Sequence, residues 1–159
     1  MRARLALFAL LTFVSPGCGP TVDLKTALQT TEVSTGWFDL GVVDGKNKLV
    51  PSVTFRFKNV STETLSTLQA NVIFRRSGED EEWGNGFVRV AGSEGLSGGA
   101  VSKPVTVNSQ LGYTGTESRQ EMLANSGFRD ARVQIFAKYA STQWTLISES
   151  PIERRLVTR

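Results

Sequence analysis

Apolar and polar residues alternate with a period of two through most of the chain beyond about residue 30, which is typical of β-strands with one buried face. The alternation is clearest in two runs separated by NVSTETL, a stretch whose Asn, Ser and Thr side chains favour a loop. The residues predicted to face a core are Val53, Phe55 and Phe57 in the first run and Leu68, Ala70, Val72 and Phe74 in the second.

Further strands are predicted on both sides of these two runs. Phe38, Leu40 and Val42 alternate before Asp44-Gly45, a dipeptide that predicts a hairpin turn because both residues tolerate positive φ. The remaining strands are predicted at residues 87–90, 101–107, 132–139 and 143–147, with a last one formed by Ile152, Leu156 and Val157 after Pro151.

One short helix is predicted within TESRQEMLANSGF, where Thr116 supplies the N-cap and Gly127 the end. Glu117 and Glu121 suit its first turns. Short strands with turn signals about every ten residues predict an all-β chain. We therefore expect a single antiparallel, immunoglobulin-like β-sandwich over residues 31–159, with the helix over one end of its core.

The start of the chain, MRARLALFALLTFVSPGCGP, follows a different pattern. Two arginines precede an apolar run over residues 5–14, which is shorter than the roughly 20 residues that a membrane-spanning helix needs. A charged start, a short apolar run and then small residues predict a secretory signal peptide over residues 1–17. Cys18, the single cysteine, follows directly, so no intrachain disulfide can form.

The stretch SPGC resembles the signal ends of bacterial lipoprotein precursors, in which a small residue immediately precedes the lipid-bearing cysteine. Gly17 fits, whereas Ser15 stands where leucine is usual and Pro16 is uncommon at its place. The resemblance implies a lipid on Cys18, a tether over residues 18–30 and a membrane-anchored place in the bacterial cell envelope, facing the periplasm or the exterior. Ser15 and Gly17 also satisfy the cleavage rule of ordinary secretion, so plain export is the alternative.

A second resemblance lies around the two clearest strands. Lys58-Asn59, Ser61-Thr62 and Gly78 are placed as in the FxLyD family, bacterial β-sandwich modules often found on lipoproteins. Arg75-Arg76 departs from that family, because Tyr-Asp would be expected there. The resemblance implies a β-sandwich and no particular ligand.

The charge of the chain argues against nucleic-acid binding, although its isoelectric point is about 9.3. Loss of two arginines with the signal segment leaves sixteen basic against fifteen acidic residues, a net charge of +1. No stretch concentrates the cations, as nucleic-acid affinity requires. Histidine is absent, which excludes His-dependent catalysis and most catalytic zinc sites, and we expect neither a metal nor a cofactor.

Three local features could still carry chemistry. The acidic run 79–82 lacks the spacing of an EF-hand and is interpreted as a solvated hairpin tip. The glycine-rich stretch 91–99 lacks the Gly-Lys-Ser/Thr of a phosphate-binding loop and is interpreted as a crossover. Ser102 and Lys103 are neighbours in a strand, so their side chains should point to opposite faces and a Ser-Lys pair is not expected.

Trp83, Phe87 and Tyr113 are the candidate interaction surface. Tyr113 lies in a glycine-bracketed stretch, GYTG, which could expose its ring for recognition. The alternative is that the ring folds onto its own sandwich, as amphipathic aromatic side chains often do.

These observations favour a non-catalytic cell-envelope lipoprotein that serves binding or assembly. One rival is an accessory subunit of an envelope complex, joined to its partner by strand addition at a sheet edge. Another is a hydrolase that works through carboxylates such as Asp130 or Glu121, which we do not expect in a chain without histidine.

Overall fold

A computed structural model describes residues 21–157 of the 159-residue chain. The signal segment predicted over residues 1–17 and Cys18 lie outside the described residues. The elements follow in the order α1 (Leu24–Ala27), β1 (Leu28–Val43), β2 (Lys46–Asn59), β3 (Gln69–Arg76), β4 (Gly84–Arg89), β5 (Val105–Asn108), β6 (Tyr113–Gly115), α2 (Arg119–Ala124), β7 (Ala131–Lys138), β8 (Thr145–Pro151) and β9 (Leu156–Val157).

The strands form two sheets. The five-stranded sheet has the order β5-β2-β1-β9, and β6 also pairs with β2, whereas the four-stranded sheet has the order β4-β3-β7-β8. Every pairing is antiparallel except that of β9 with β1, which is parallel. The predicted all-β sandwich is therefore confirmed at the level of two packed, mainly antiparallel sheets.

The core lies between the inward faces of the two sheets. The seven residues predicted to face it are fully buried at 0 % exposure: Val53, Phe55, Phe57, Leu68, Ala70, Val72 and Phe74. The predicted loop between the two runs is also confirmed. Asn59, which is fully buried, fixes that loop by donating hydrogen bonds to the carbonyl oxygens of Glu63 (2.7 Å) and Leu96 (2.8 Å).

The Asp44-Gly45 hairpin is confirmed. The two residues connect β1 to β2 with positive φ angles of 50° and 74°, the backbone conformation that Asp and Gly tolerate best.

The folded domain begins earlier than predicted. Leu24, Ala27 and Leu28 are buried in the core or against it, and Asp23 caps α1 by accepting a hydrogen bond from the Lys25 amide (3.0 Å). The tether predicted over residues 18–30 is therefore too long, because its second half packs as α1 and the start of β1. The period of two does not detect such a short buried helical turn.

The predicted helix is present but shorter. Ser118, not Thr116, caps α2, because its hydroxyl accepts from the Glu121 amide while the Glu121 carboxylate accepts from the Ser118 amide. The helix ends at Ala124, with Asn125 as its C-cap, before reaching Gly127.

The last predicted strands also differ in their bounds. Pro151 is the last residue of β8. The closing strand predicted after it is confirmed only at Leu156–Val157, as β9, whereas Ile152 is buried in the core outside any strand. Over residues 101–107 the strand is confined to β5, since Val101 forms only an isolated bridge with Lys58. Pro104, which cannot donate a ladder hydrogen bond, separates the two pieces.

Candidate functional site

Two of the three predicted surface aromatics are half-buried against the core. The Trp83 and Tyr113 rings are 5.1 Å apart, and both pack on the fully buried Trp37, at 6.1 and 5.7 Å. Phe128 completes the group at 4.5 Å from Trp37 and 4.6 Å from Tyr113. We call Trp37, Trp83, Tyr113 and Phe128 the inner aromatic cluster.

Cations cover this cluster from outside. The Arg154 guanidinium lies 5.3 Å from the centre of the Phe128 ring and donates to the Phe128 carbonyl oxygen (2.7 Å) and to Asp130 (2.6 Å). Arg76 lies 5.9 Å from the centre of the Trp83 ring. Trp37 Nε1 is buried without a hydrogen-bond partner in the described chain, and the backbone of Arg129 lies beside the buried Tyr113 hydroxyl. Burial raises the pKa of Tyr113 above its ordinary value of 10.0.

Phe87 lies on a different surface. Its ring is 59 % exposed and meets Trp144 edge-on at 6.0 Å between ring centres. The predicted trio therefore does not form one surface. Trp144 is 37 % exposed and lies just before β8, outside the alternation that indicates inward and outward positions.

The outer face of the four-stranded sheet carries several apolar side chains around this pair. Phe136 lies opposite Leu146 in the β7–β8 pairing, and Asn71 of β3 lies between Phe87 and Phe136. The Lys138 ammonium lies 4.9 Å from the centre of the Trp144 ring. We call this surface the aromatic face: Phe87, Phe136, Trp144 and Leu146, with Arg89 and Lys138 beside them.

Asp80, Glu81 and Glu82 of the acidic run are exposed, as predicted for a solvated hairpin tip, whereas Glu79 is partly buried between arginines. Glu79 forms ion pairs with Arg76 (2.9 Å) and Arg129 (2.6 Å), and Asp80 forms one with Arg132 (3.1 Å). Within residues 21–157, no group of three His, Cys, Asp or Glu side chains is arranged to hold a metal ion.

The candidate catalytic groups have structural partners. Asp130 is paired with Arg154, and Glu121 belongs to the capping box of α2. The Ser102 hydroxyl accepts from the Phe57 amide (3.0 Å) and donates to the Lys103 carbonyl oxygen (2.8 Å), so it ties two segments of the sandwich together.

A groove of about 550 Å³ lies on the outer face of the five-stranded sheet. Its floor comes from neighbouring strands in register: Thr54 pairs with Ser34 and Thr106, and Ser52 pairs with Asn108. We call it the hydroxyl groove, and its lining is Ser34, Ser52, Thr54, Thr106 and Asn108 with Phe38, Arg155, Leu156 and Val157.

Polar groups converge in this groove. The Thr54 and Thr106 hydroxyls are 2.8 Å apart, and Arg155 donates to the Ser34 hydroxyl (2.7 Å). Asn108 Oδ1 is buried with no hydrogen-bond partner among the described residues. None of these residues had been singled out from the sequence, because only the pairing of β1, β2 and β5 brings them together.

The chain enters the sandwich beside the β7–β8 turn. The Val22 amide donates to the Tyr139 hydroxyl (2.6 Å), and Tyr139 follows the last residue of β7. In the part of the chain that the structure describes, no helix has the length and apolar character needed to cross a membrane.

No protein-family model and no curated protein matches the chain. Among solved structures, an X-ray structure of a structural genomics target is 13 % identical with a TM-score of 0.46, covering 82 % of this chain and 89 % of that one. A solution structure of an Arabidopsis thaliana protein is 14 % identical with a TM-score of 0.48, covering 93 % and 92 %. A crystal structure of an Archaeoglobus fulgidus protein is 16 % identical with a TM-score of 0.27, covering 79 % and 98 %.

Proposed function

We propose that this chain is a non-catalytic binding module of the bacterial cell envelope: an immunoglobulin-like sandwich held at a membrane by a lipid on Cys18. The anchor is inferred from the signal-like start and the position of the single cysteine. Two or more acyl chains give stable membrane attachment, because each buried CH₂ contributes about 0.8 kcal/mol.

The hydroxyl groove is the observation that carries the binding role. Its hydroxyls, an amide and a guanidinium offer donors and acceptors in one concave surface, while Phe38, Leu156 and Val157 add apolar contact area. Such a lining of few converging polar groups beside apolar ones is typical of ligand sites. It suits a polyhydroxylated ligand, and in the cell envelope we assign it to glycan chains.

The geometry favours binding over hydrolysis. No carboxylate lines the groove, and Asp130 and Glu121 are held by Arg154 and by the α2 cap. A glycoside hydrolase instead places two carboxyl groups on either side of the bond that it breaks.

Mass spectrometry of the protein from the membrane fraction tests the anchor. We expect a mature N-terminus at Cys18 carrying acyl chains, and we expect Cys18→Ser to abolish the acyl mass and release the protein from membranes. An unmodified mature chain in the soluble fraction would favour plain export. Co-purification of a stoichiometric protein from the native envelope would favour the accessory-subunit alternative.

Calorimetric titration with soluble peptidoglycan glycan chains tests the groove. Thr106→Val together with Asn108→Leu should weaken binding by at least roughly tenfold, because two hydrogen-bonding groups are lost. Thr114→Val, an exposed change on β6, is the matched control and should leave the affinity unchanged. Equal affinity in all three proteins would exclude the groove as the glycan site.

A further inference from the structure

We propose that the aromatic face lies against the lipid surface of the membrane to which the chain is anchored. This inference rests on the proposed lipid at Cys18 and adds an orientation and a second membrane contact. The occupant that we assign to the face is an anionic bilayer surface.

The first argument is the length of chain between the anchor and the fold. Cys18 precedes Val22 by four residues, and a fully extended chain of that length reaches about 14 Å. Val22 is fixed to Tyr139 by its amide hydrogen bond of 2.6 Å. A lipid on Cys18 therefore holds the β7–β8 end of the sandwich close to the bilayer.

The second argument is that the aromatic face begins at this same end. Lys138 immediately precedes Tyr139, and Gln69 of β3 pairs with both Lys138 and Arg89. Phe87 and Phe136 occupy the next outward positions, two residues before Arg89 and Lys138 and therefore further from this end of the sandwich. The outward positions nearest the tether therefore carry the cations Arg89 and Lys138, and the next outward positions carry the rings of Phe87 and Phe136.

The third argument is the exposure of these apolar side chains. Phe87 is 59 %, Leu146 41 % and Trp144 37 % exposed, and no segment within residues 21–157 covers them. An apolar patch of this kind with a polar rim marks an interaction surface. Tryptophan with neighbouring Lys or Arg is the composition favoured at the lipid headgroup boundary, where the ring enters and the cation stays in water.

The fourth argument is charge. The outward positions of the four-stranded sheet hold Arg75, Arg89, Arg132 and Lys138, against the single carboxylate of Glu149. Lys138 makes no ion pair within the described chain, whereas Arg132 pairs with Asp80 and Glu149, and Arg89 interacts electrostatically with Glu94. This surplus of cations complements anionic lipid headgroups, to which each nearby cation adds about fivefold in affinity.

The test uses the full lipidated protein, purified and reconstituted at low density in vesicles of phosphatidylethanolamine and brominated phosphatidylglycerol. Bromine quenches tryptophans at the bilayer, and Trp37 is a buried internal reference. We expect the emission of Trp144 to fall roughly twofold relative to unbrominated vesicles, because its ring lies at the headgroup boundary. Trp144→Phe should remove the quenched component.

Two pairs of variants separate the contributions. Phe87→Ser should reduce the quenching, and Leu40→Ser with Val42→Ser, at exposed positions at the far end of β1, should not. Arg89→Gln with Lys138→Gln should reduce it more in anionic than in zwitterionic vesicles, whereas Lys46→Gln with Lys48→Gln should have no effect. These controls match the substitutions in type and differ in distance from the tether.

The outcomes distinguish this orientation from the anchor itself. Unquenched Trp144 in a protein whose acyl chains are confirmed by mass would overturn the orientation and leave the proposed function standing. Absence of acyl chains would overturn both. If Trp144 is shielded from aqueous acrylamide but is not quenched by bromine, the proposed orientation is also overturned. Shielding that rises with protein density would then assign the aromatic face to a second copy of the chain. Shielding that occurs only in native membranes would assign the face to a protein partner.

Discussion

Trp37 and Trp144 each meet another aromatic ring, yet Trp37 is fully buried and Trp144 is 37 % exposed. The rings around Trp37 come from segments distant in sequence: the 77–83 loop, the 125–130 loop and strand β6. The rings around Trp144 belong to one sheet and its adjoining turn, and no described segment crosses over them. Long-range connections therefore decide which aromatic group becomes core and which stays available for contact.

Among substitutions that test this comparison, Trp37→Ala is expected to change the free energy of unfolding most. Loss of a fully buried indole should lower the free energy of unfolding by about 3–5 kcal/mol, through lost burial and a residual cavity. Trp144→Ala should change it by less than about 1 kcal/mol, as is usual at exposed sites. Urea unfolding followed by circular dichroism measures both, and similar losses would contradict the distinction.

Arg154→Ala should have the next largest effect. The guanidinium donates to the carbonyl oxygens of Leu123 (3.2 Å) and Phe128 (2.7 Å) and covers the Phe128 ring, so its loss should cost about 1–3 kcal/mol. Arg129→Ala is the control, because its ion pair with Glu79 is exposed and should contribute less than about 1 kcal/mol. Equal urea midpoints for the two variants would show that Arg154 does not close the inner aromatic cluster.

Phe87→Ala should have a smaller effect on stability than either. The edge-on contact with Trp144 is exposed, and an aromatic pair contributes about 0.5–1.5 kcal/mol even in favourable surroundings. We expect a loss below about 1 kcal/mol in the same urea assay. A loss as large as that of Trp37→Ala would mean that the aromatic face is part of the core.

Tyr113→Phe should have the smallest effect at neutral pH. The buried hydroxyl approaches the backbone of Arg129 without a full hydrogen bond, so removing it should change the free energy of unfolding by less than about 1 kcal/mol. Because burial raises its pKa in the folded state, the native protein holds this proton more tightly than the unfolded chain. Its contribution is complete below pH 10 and is lost as the pH rises through the higher folded-state pKa.

The variant should therefore lose less stability than the parent between pH 9 and pH 11. Thermal unfolding at several pH values in this range measures the difference. Identical pH dependence in the two proteins would show that Tyr113 does not titrate in a buried setting.

Local rules predicted most of the sheet residues. Alternation identified Phe55, Phe57 and Phe74 as core, and Asp44-Gly45 identified the first hairpin, because both signals are contained within a few neighbouring residues. β6 was not predicted, and β9 is only the Leu156–Val157 part of the predicted closing strand: each is at most three residues long and exists through pairing with β2 or β1. Such strands leave little periodicity to detect.

The sites were harder to predict for the same reason. Trp83 precedes β4 and Trp144 precedes β8, where strand alternation does not indicate a side chain's direction. The hydroxyl groove combines residues from β1, β2 and β5 whose chemistry is ordinary in each strand taken alone. Only the side-by-side pairing of these three strands brings the residues together into one groove.

The sixteen-residue β1 begins four residues after Leu24 and pairs with β2 along nearly its whole length. Tension between an anchored N-terminus and a ligand held on β2 would run parallel to these two strands. The hydrogen bonds between the two strands are perpendicular to such a force, so all of them resist the sliding of one strand past the other. In a hairpin that is pulled apart at its open end, by contrast, the hydrogen-bonded pairs separate one at a time. With the proposed anchor and groove, the longest ladder of the fold would connect the two through hydrogen bonds loaded in shear.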